Sequence, residues 1–323
     1  MNTENKKKPA KRFERNPKNA LPEKDFTQRD IQALRDLHEH RILRTSQITT
    51  SDRQQRRLRR MFDSSHIDRW DGENEIGHSP NPKHLYTLDK RGARYLKDTL
   101  GEWARPYSGN ARDNQVTHSL FVADFLLAVK KACDDTDGVT YLRQDAILAG
   151  LPRLTQLHPL RMEATVHGEP QTTVPDGLFG LEFSNGKKHY FFLEADRGTM
   201  VLDRKGKKAD QLSDVRKKYE VFYNFQKTKG LCEKEFGFKV FGVLFITSSK
   251  ELSRPKTLVD KLQGIHTDRE GNPLGVPTWF FGHKASILDT ATNVLKAQWL
   301  LGNYGEGVLH QNASKPPVPI PVN

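Results

Sequence analysis

Three acidic residues near the middle of the chain are spaced so that they could hold a divalent metal ion. Asp176 follows Pro175 at the start of one β-rich run, and Glu194 and Asp196 end the next one. Like charges this close together are unfavourable unless a cation or a proton neutralises them. Clusters of carboxylate oxygens suit Mg²⁺ or Mn²⁺, which can activate water and stabilise phosphoryl transfer. The sequence therefore predicts a metal-dependent phosphodiester chemistry.

A predicted hairpin brings these three acids together. Asn185-Gly186 is typical of a tight turn between two strands. Apolar residues alternate on both sides of this turn, at Phe179, Leu181, Phe183, Phe191 and Leu193. If they share a core face, opposed residues have numbers with an even sum, such as 179 with 193 or 181 with 191. The same parity places Asp176 opposite Glu194 or Asp196 on the other face. The alternative is a solvated sheet edge that carries three ordinary surface acids.

A run of arginines forms a second candidate site, on a helix predicted over residues 52–62. Its apolar stripe consists of Leu58, Met61 and Phe62. A separate basic stripe, at i, i+3, i+4 and i+7, consists of Arg53, Arg56, Arg57 and Arg60. A helix that is anchored by one face and carries arginines on another suits contact with DNA phosphates or the major groove. No acid on the basic face compensates this charge, so we expect the helix to contact DNA.

The elements around this helix predict a winged helix-turn-helix over residues 25–98. Thr27, with Asp30 three residues later, forms a variant capping box for a first helix that ends near Arg41. Thr45 is expected to cap a short second helix. Two strands, residues 66–70 and 84–88, enclose a long polar wing, and a closing helix follows.

The rest of the chain predicts an α/β domain with a mixed sheet. Residues 99–115 resemble a linker in composition, and residues 116–300 form the second domain. In it we expect a helix over residues 210–225 and a central strand, buried on both faces, over residues 238–247. A helix over residues 253–263 and a last strand over residues 278–281 complete the domain. A disordered basic arm (residues 1–24) and a proline-rich tail (residues 301–323) flank the two domains.

Composition points to a nucleic-acid partner. The 323 residues include 52 Lys+Arg and 40 Asp+Glu, a formal net charge of +12, which favours nucleic acid over an anionic membrane. Two cysteines cannot form a disulfide framework or a thiolate zinc site, so we expect a reduced, cytoplasmic setting. No apolar run approaches the roughly 20 residues that span a bilayer, and the first residues lack the apolar core of a signal peptide.

Several segments together resemble the replication-relaxation family of plasmid and phage proteins, which overlaps the MobC-type relaxases of mobilisable plasmids. They are FTQRDIQALRDLHEHRIL, THSLFVADF, PDGLFGL, FFLEADRGT and KKYEVFY. The resemblance covers most of residues 26–282, and its most specific part is the ExDxGT segment at residues 194–199. It implies a restriction-endonuclease-like domain of the PD-(D/E)xK type. Such a domain would act on double-stranded DNA at an origin of replication or transfer, with relaxosome or replication proteins as further partners.

The resemblance also assigns residues by position. Asp176 matches the aspartate of PD and Glu194 the acid of (D/E)xK, so both would ligate Mg²⁺ or Mn²⁺. Asp196 stands where the pattern has lysine, and an aspartate cannot stabilise the attacking water or the phosphate charge. Lys217 or Lys218 on the next helix could restore that positive charge. Otherwise Asp196 is a third metal ligand, or the site no longer cleaves.

Other residues have less specific assignments. His118 matches a helix histidine of the family, although a lone histidine near a helix start is more often structural. Asp145 is a candidate for a further acid, and Arg197 for a phosphate contact. Tyr219 and Tyr223 could be nucleophiles, as in tyrosine relaxases, but their place on an amphipathic helix favours packing. The spaced histidines of HUH relaxases are absent from the sequence, so metal-assisted hydrolysis is favoured.

The leading functional hypothesis is thus an origin-binding DNA-nicking protein that starts replication or conjugative mobilisation. One alternative is a non-catalytic replication initiator or accessory protein with a vestigial nuclease-like domain. Another is a transcriptional regulator with a ligand-binding C-terminal domain, which would not need convergent acids.

Overall fold

The computed structural model describes residues 13–70, 84–107, 113–200, 202, 214–263, 276–291 and 293–309. Packing divides the chain into two compact units, Met1–Leu127 and Ala128–Asn323. The fold is mixed α/β, which confirms the expected class. None of the helices in these segments is long and apolar enough to cross a membrane.

The first unit packs helices around a small antiparallel sheet whose strand order is β1-β3-β2. Its elements are α1 (Gln28–His40), β1 (Ile42–Arg44), α2 (Thr45–Ile48), α3 (Asp52–Asp63), β2 (Ile67–Trp70), β3 (Leu85–Leu88) and α4 (Lys90–Leu100), followed by the first part of α5 (Asp113–Asp134). The helices and the strands β2 and β3 follow the predicted order, whereas β1 was not predicted. The predicted wing, residues 71–83, lies outside the described segments.

Local sequence signals explain where the first helices begin and end. The N–H of Thr27 donates to Oδ2 of Asp30 at 2.7 Å, and the N–H of Asp30 donates to the hydroxyl of Thr27 at 3.4 Å, which confirms the capping box. Arg41 ends α1 with a φ of 67°. The prediction that Thr45 caps α2 is wrong, because Thr45 is the first helical residue and its hydroxyl donates to the carbonyl of His84.

The segment before α1 packs on the first unit. Leu21 is buried, and its N–H donates to the carbonyl of Arg60. Arg15 donates to the carbonyl of Phe62 at 3.0 Å and forms an ion pair with Asp89. Residues 13–24 therefore belong to the folded unit and not to the disordered arm predicted for residues 1–24, because their apolar and charged side chains find partners. Residues 1–12 lie outside the description.

The first half of α5 also belongs to the first unit. One apolar cluster joins α5 to the small sheet and consists of Ile42, Trp70, Leu85, Val116 and Leu120. Asp124 accepts hydrogen bonds from Arg44 at 2.8 Å and from Gln47 at 2.7 Å. The division between the units thus falls inside α5, after Leu127, and not in the linker expected at residues 99–115.

The second unit is built on a seven-stranded mixed sheet with the order β12-β11-β10-β9-β8-β7-β4. Its elements are β4 (Val139–Leu142), α6 (Gln144–Ile147), β5 (Met162–Val166), β6 (Glu169–Thr173), β7 (Gly177–Phe183), β8 (Lys188–Asp196), α7 (Asp214–Lys227), α8 (Leu231–Phe236), β9 (Gly242–Thr247), α9 (Arg254–Gln263), β10 (Val276–His283), β11 (Trp299–Gly302) and β12 (Glu306–Gly307). Strands β8, β9 and β10 are parallel, and the other pairs are antiparallel.

Most predicted elements of this unit are present, with shifted ends. β9 is buried along its whole length between two parallel neighbours, which confirms a central strand, although it begins at Gly242 and not at residue 238. α9 confirms the helix expected over residues 253–263. The start expected for α7, residues 210–213, lies outside the described residues. The sheet continues through residues 299–307, so residues 301–307 do not belong to the tail predicted for residues 301–323.

Candidate functional site

The register of the β7–β8 hairpin determines how the acids face one another. Gly177 pairs with Leu193 and Phe179 with Phe191, so opposed numbers have an even sum, as predicted. The actual partner of Phe179 is two residues earlier than the expected 193, and the rings of Phe179 and Phe191 stack 5.3 Å apart. The ladder ends at the pair of Gly177 with Leu193, and Asp176 and Glu194 are the residues directly beyond this pair.

Backbone hydrogen bonds hold Asp176 at that position. Its N–H donates to the carbonyl of Leu193 at 2.9 Å. In return, the N–H of Ala195 donates to Oδ2 of Asp176 at 2.8 Å. Asp176 is therefore bonded to the backbone on either side of Glu194, through its own N–H to Leu193 and through its carboxylate to Ala195.

The face of the hairpin that carries the acids is covered by α7. Phe192, on the same face as Glu194, packs against Phe222 of α7, and Tyr219 packs against Phe245 of β9. Glu194 is 0% exposed and Asp196 is 1% exposed. The alternative of a solvated sheet edge is therefore wrong for these two residues.

Lys218 brings positive charge to the acids from α7. Its Nζ contacts Oε2 of Glu194, while 27% of its side chain remains exposed. Desolvation lowers the pKa of the Lys218 ammonium, but attraction to Glu194 and then to Asp176 outweighs it, so the pKa is raised above its ordinary value. Of the two lysines expected to replace the missing lysine, the structure thus places Lys218 on Glu194. Lys217, the preceding residue of α7, is half-buried.

Asp196 accepts hydrogen bonds from a different set of residues. Oδ2 accepts from Nε of Arg254 at 2.8 Å and from the hydroxyl of Thr247 at 3.1 Å. Oδ1 accepts from the N–H of Gly198 at 2.9 Å and from that of Met200 at 3.3 Å. Asp196 is thus held at the ends of two parallel strands, β8 and β9, and is paired with α9.

These contacts separate the three acids that the sequence places together. Within the described segments, donor atoms of Asp36, Glu39 and His40 on α1 all lie within 4.8 Å of one another, whereas those of Asp176, Glu194 and Asp196 do not. The three carboxylates therefore do not form one cluster of the kind that could hold a metal ion.

The tyrosines of α7 are packing residues. Tyr219 is fully buried, and its hydroxyl donates to the carbonyl of Leu258 at 3.0 Å. Burial raises its pKa well above the ordinary value for tyrosine. Tyr223 is also buried, and burial is the main cause of its raised pKa. Neither phenol is placed as a nucleophile for DNA.

The remaining predicted site residues lie in several elements. His118 is half-buried on α5 in the first unit. Asp145 accepts from Arg143 at 3.0 Å and from the N–H of Ala146 at 2.9 Å, so its carboxylate is bonded within α6 and the residue before it. Arg197 is half-buried and directly follows β8.

The arginine helix divides into exposed and paired residues. Leu58, Met61 and Phe62 are buried, which confirms the apolar stripe of α3. Arg57 forms a bidentate ion pair with the buried carboxylate of Asp30, with Nε to Oδ1 at 2.9 Å and Nη2 to Oδ2 at 2.6 Å. The expectation that no acid compensates the stripe is therefore wrong for Arg57, because Asp30 approaches it from α1.

The exposed arginines of α3 are Arg53, Arg56, Arg59 and Arg60. Arg60 also donates from Nε to the carbonyl of Asn19 at 3.3 Å. Arg59 was not part of the predicted stripe, although it lies three residues after Arg56 and so extends the same surface. The basic surface of α3 therefore consists of these four residues, without Arg57.

Residues 34–231, more than half of the chain, match the model of the replication-relaxation family. The chain belongs to this family. Membership points to a role in replication or relaxation and implies an interaction with DNA in general. No curated protein matches the chain, and no solved structure does.

The family match contains part of the candidate site. Asp176, Glu194 and Lys218 lie within the matched residues, whereas Thr247 and Arg254 lie beyond them. No sequence pattern indicates the role of Arg254, which is 58 residues from its partner and lies in an ordinary amphipathic helix. Only the three-dimensional structure shows that these two residues contact Asp196.

Proposed function

We propose that this member of the replication-relaxation family is a DNA-nicking protein. Its first unit binds duplex DNA at an origin, and a site formed by Asp176, Glu194 and Lys218 cleaves one strand with Mg²⁺ or Mn²⁺. The observation that carries the proposal is the contact of Lys218 Nζ with Oε2 of Glu194, next to the anchored carboxylate of Asp176. Two acids and a lysine are the groups that the PD-(D/E)xK pattern requires, and here α7 supplies the lysine.

The place of the site in the sheet supports this proposal. Glu194 and Asp196 lie at the carboxyl end of β8, which is parallel to β9. In α/β sheets, the carboxyl ends of parallel strands are the usual place for ligands and catalytic residues. A site at this end also lies next to the exposed residues Gly198 and Thr199, which leave the sheet here.

Each residue has a distinct task in the proposed reaction. Asp176 and Glu194 would hold a divalent ion, which would supply Lewis acidity at the phosphate and lower the pKa of water. Asp176 is held in place by the N–H of Ala195, so its carboxylate is ordered before DNA arrives. Lys218 contacts Glu194, and its ammonium would stabilise the negative charge that develops on the phosphate.

The first unit supplies affinity for DNA. Arg53, Arg56, Arg59 and Arg60 present four guanidinium groups on the exposed side of α3, while the opposite side of the helix is buried. Arginine suits bidentate contact with phosphates. We propose that α3 is the recognition helix of a winged helix-turn-helix. Relaxosome or replication proteins are proposed as further partners, in the cytoplasm.

One observation favours the second candidate function, a non-catalytic initiator or accessory protein. Both buried acids have a cationic partner within the chain, since Lys218 pairs with Glu194 and Arg254 with Asp196. A vestigial site would keep such pairs because an unpaired buried charge is strongly destabilising. DNA binding without cleavage in any metal would support this function.

The deciding experiment uses the full chain and a supercoiled plasmid that carries the origin of its own element. The protein is incubated with this plasmid in Mg²⁺, Mn²⁺ or EDTA, and the products are separated with and without protease digestion. We expect open circles in Mg²⁺ or Mn²⁺ only, with the same mobility after digestion, because hydrolysis leaves no protein on the DNA. Cleavage in EDTA, or DNA that needs digestion to enter the gel, would contradict metal-assisted hydrolysis.

A further inference from the structure

Asp196 has its two carboxylate oxygens bonded by four donors. The N–H groups of Gly198 and Met200 donate to Oδ1, and Thr247 and Arg254 donate to Oδ2. The side chain of Asp196 is fully buried, and that of Arg254 is nearly so. A carboxylate with these partners has little capacity left for a cation, which would have to displace Arg254.

Arg254 also binds the backbone at Met200, the far end of the segment that follows Asp196. Its Nη2 donates to the carbonyl of Met200 at 2.9 Å, while its Nε donates to Asp196. One guanidinium group therefore bridges the last residue of β8 and the backbone four residues later. The N–H of Ser248 donates to the carbonyl of Asp196 at 2.8 Å and continues the ladder with β9.

The backbone between Asp196 and Met200 has a conformation that few residue types can adopt. Gly198 has a φ of 78°, and a Cβ at this position would lie 2.8 Å from Cβ of Ser249. Glycine is needed here for both reasons. The segment 197–200 is therefore fixed by a glycine turn, by two backbone bonds to Asp196 and by Arg254.

We propose that Asp196 is a positioning residue and not a metal ligand. Together with Arg254 it fixes residues 197–200 at the carboxyl end of β8, and so sets the backbone from which Arg197 extends. This assignment rests on the proposed nuclease site, which it deepens, because it leaves Asp176 and Glu194 as the metal ligands. It also explains why lysine is not required at this position of the chain, since Lys218 supplies the charge.

The first test measures Mn²⁺ binding to the full chain. Binding is detected as the loss of the electron paramagnetic resonance signal of free Mn²⁺. Asp196→Asn should change the Kd less than about threefold, whereas Glu194→Gln should weaken binding at least about tenfold, because loss of even a residue that only bonds to a ligand typically costs that much. Equal weakening by both substitutions would overturn the assignment. If the unaltered protein binds no Mn²⁺, the metal-dependent function fails, and the positioning role is decided by the second test.

The second test is amide hydrogen exchange of residues 197–200. Asp196→Asn removes the negative charge and turns one of the two acceptor oxygens into a donor, so exchange should become at least about tenfold faster there, with little change in the β5–β6 hairpin. Arg254→Met should have the same effect, and Arg254→Lys should restore part of the protection because it keeps the charge. If Arg254→Met does not fold, Asp196→Asn and Arg254→Lys carry the test. Unchanged exchange in Asp196→Asn would contradict the positioning role.

Discussion

Lys218, on α7, contacts the buried carboxylate of Glu194, which lies on β8 and 24 residues earlier in the chain. The pair places a lysine beside the acids although β8 itself carries Asp196 where the nuclease pattern has lysine. Burial of Tyr219 and Phe222 fixes the rotation of α7, and so puts Lys218 above the sheet. The position of this charge is therefore a consequence of how the helix packs.

Replacing Lys218 should impair nicking far more than replacing its neighbour. Lys218→Met removes the ammonium that stabilises the phosphate charge, and should lower the rate at least 100-fold, as loss of one such group does. Lys217→Met changes the same residue type one position earlier on α7 and should retain most of the rate. The measurement is the rate of open-circle formation, with thermal unfolding of both variants as a control. Equal rates for the two variants would show that Lys218 has no special role.

Arg57 and Arg56 should differ in how much each contributes to the free energy of unfolding. Arg57→Ala leaves the buried carboxylate of Asp30 without its cation and should lower the free energy of unfolding by about 3 kcal/mol. Arg56 is exposed, so Arg56→Ala should change stability by less than about 0.5 kcal/mol. Urea unfolding measures both changes.

Arg56→Ala also tests whether the exposed arginines of α3 contact DNA. Arg56→Ala should weaken DNA binding and reduce the salt dependence of the binding constant by about one phosphate contact. The experiment is a fluorescence titration of labelled duplex at several salt concentrations. If Arg56→Ala leaves both affinity and salt slope unchanged, α3 is not the DNA-binding helix.

Asp30 should make the stability of the protein fall in acid. Burial raises the pKa of its carboxyl, but hydrogen bonds from Arg57, Thr27 and Gln54 outweigh this, and the pKa is lowered. The unfolded state then binds a proton more readily than the folded state, so this stabilisation is present above the ordinary pKa of about 3.9 and is lost as pH falls through the lowered pKa.

Urea unfolding between pH 7 and pH 2.5 measures this effect. Asp30→Asn cannot titrate, so its free energy of unfolding should be lower at pH 7 but should decline less steeply below about pH 4. Asp36→Asn, which alters an acid on the same helix, should keep the steep decline of the unaltered protein. Parallel curves for Asp30→Asn and the unaltered protein would contradict the role of Asp30.

The local parts of the fold were predictable because their signals are local. The capping box at Thr27, the apolar stripe of α3 and the parity of the β7–β8 hairpin each depend on residues a few positions apart. The register itself, with Phe179 opposite Phe191, needed the length of the turn, because a shift of two residues keeps the parity.

The pairing of charges was not predictable, because it joins distant elements. Asp30 lies on α1, and nothing in the spacing of the α3 arginines shows that it neutralises Arg57. Arg254 reaches Asp196 from α9, outside the residues that match the family. Strands β11 and β12 were missed since short runs at the sheet edge carry little periodic signal.

The most direct test of the nuclease site is the nicking rate of Glu194→Gln in Mg²⁺ and in Mn²⁺. Glu182→Gln is the matched control, because Glu182 lies on the adjoining strand β7 and pairs with Lys188 at 3.3 Å. The proposed function predicts that Glu182→Gln converts supercoiled plasmid to open circles at the rate of the unaltered protein, while Glu194→Gln binds the same DNA but forms no open circles. Nicking by Glu194→Gln at the rate of the control would contradict catalysis at this site.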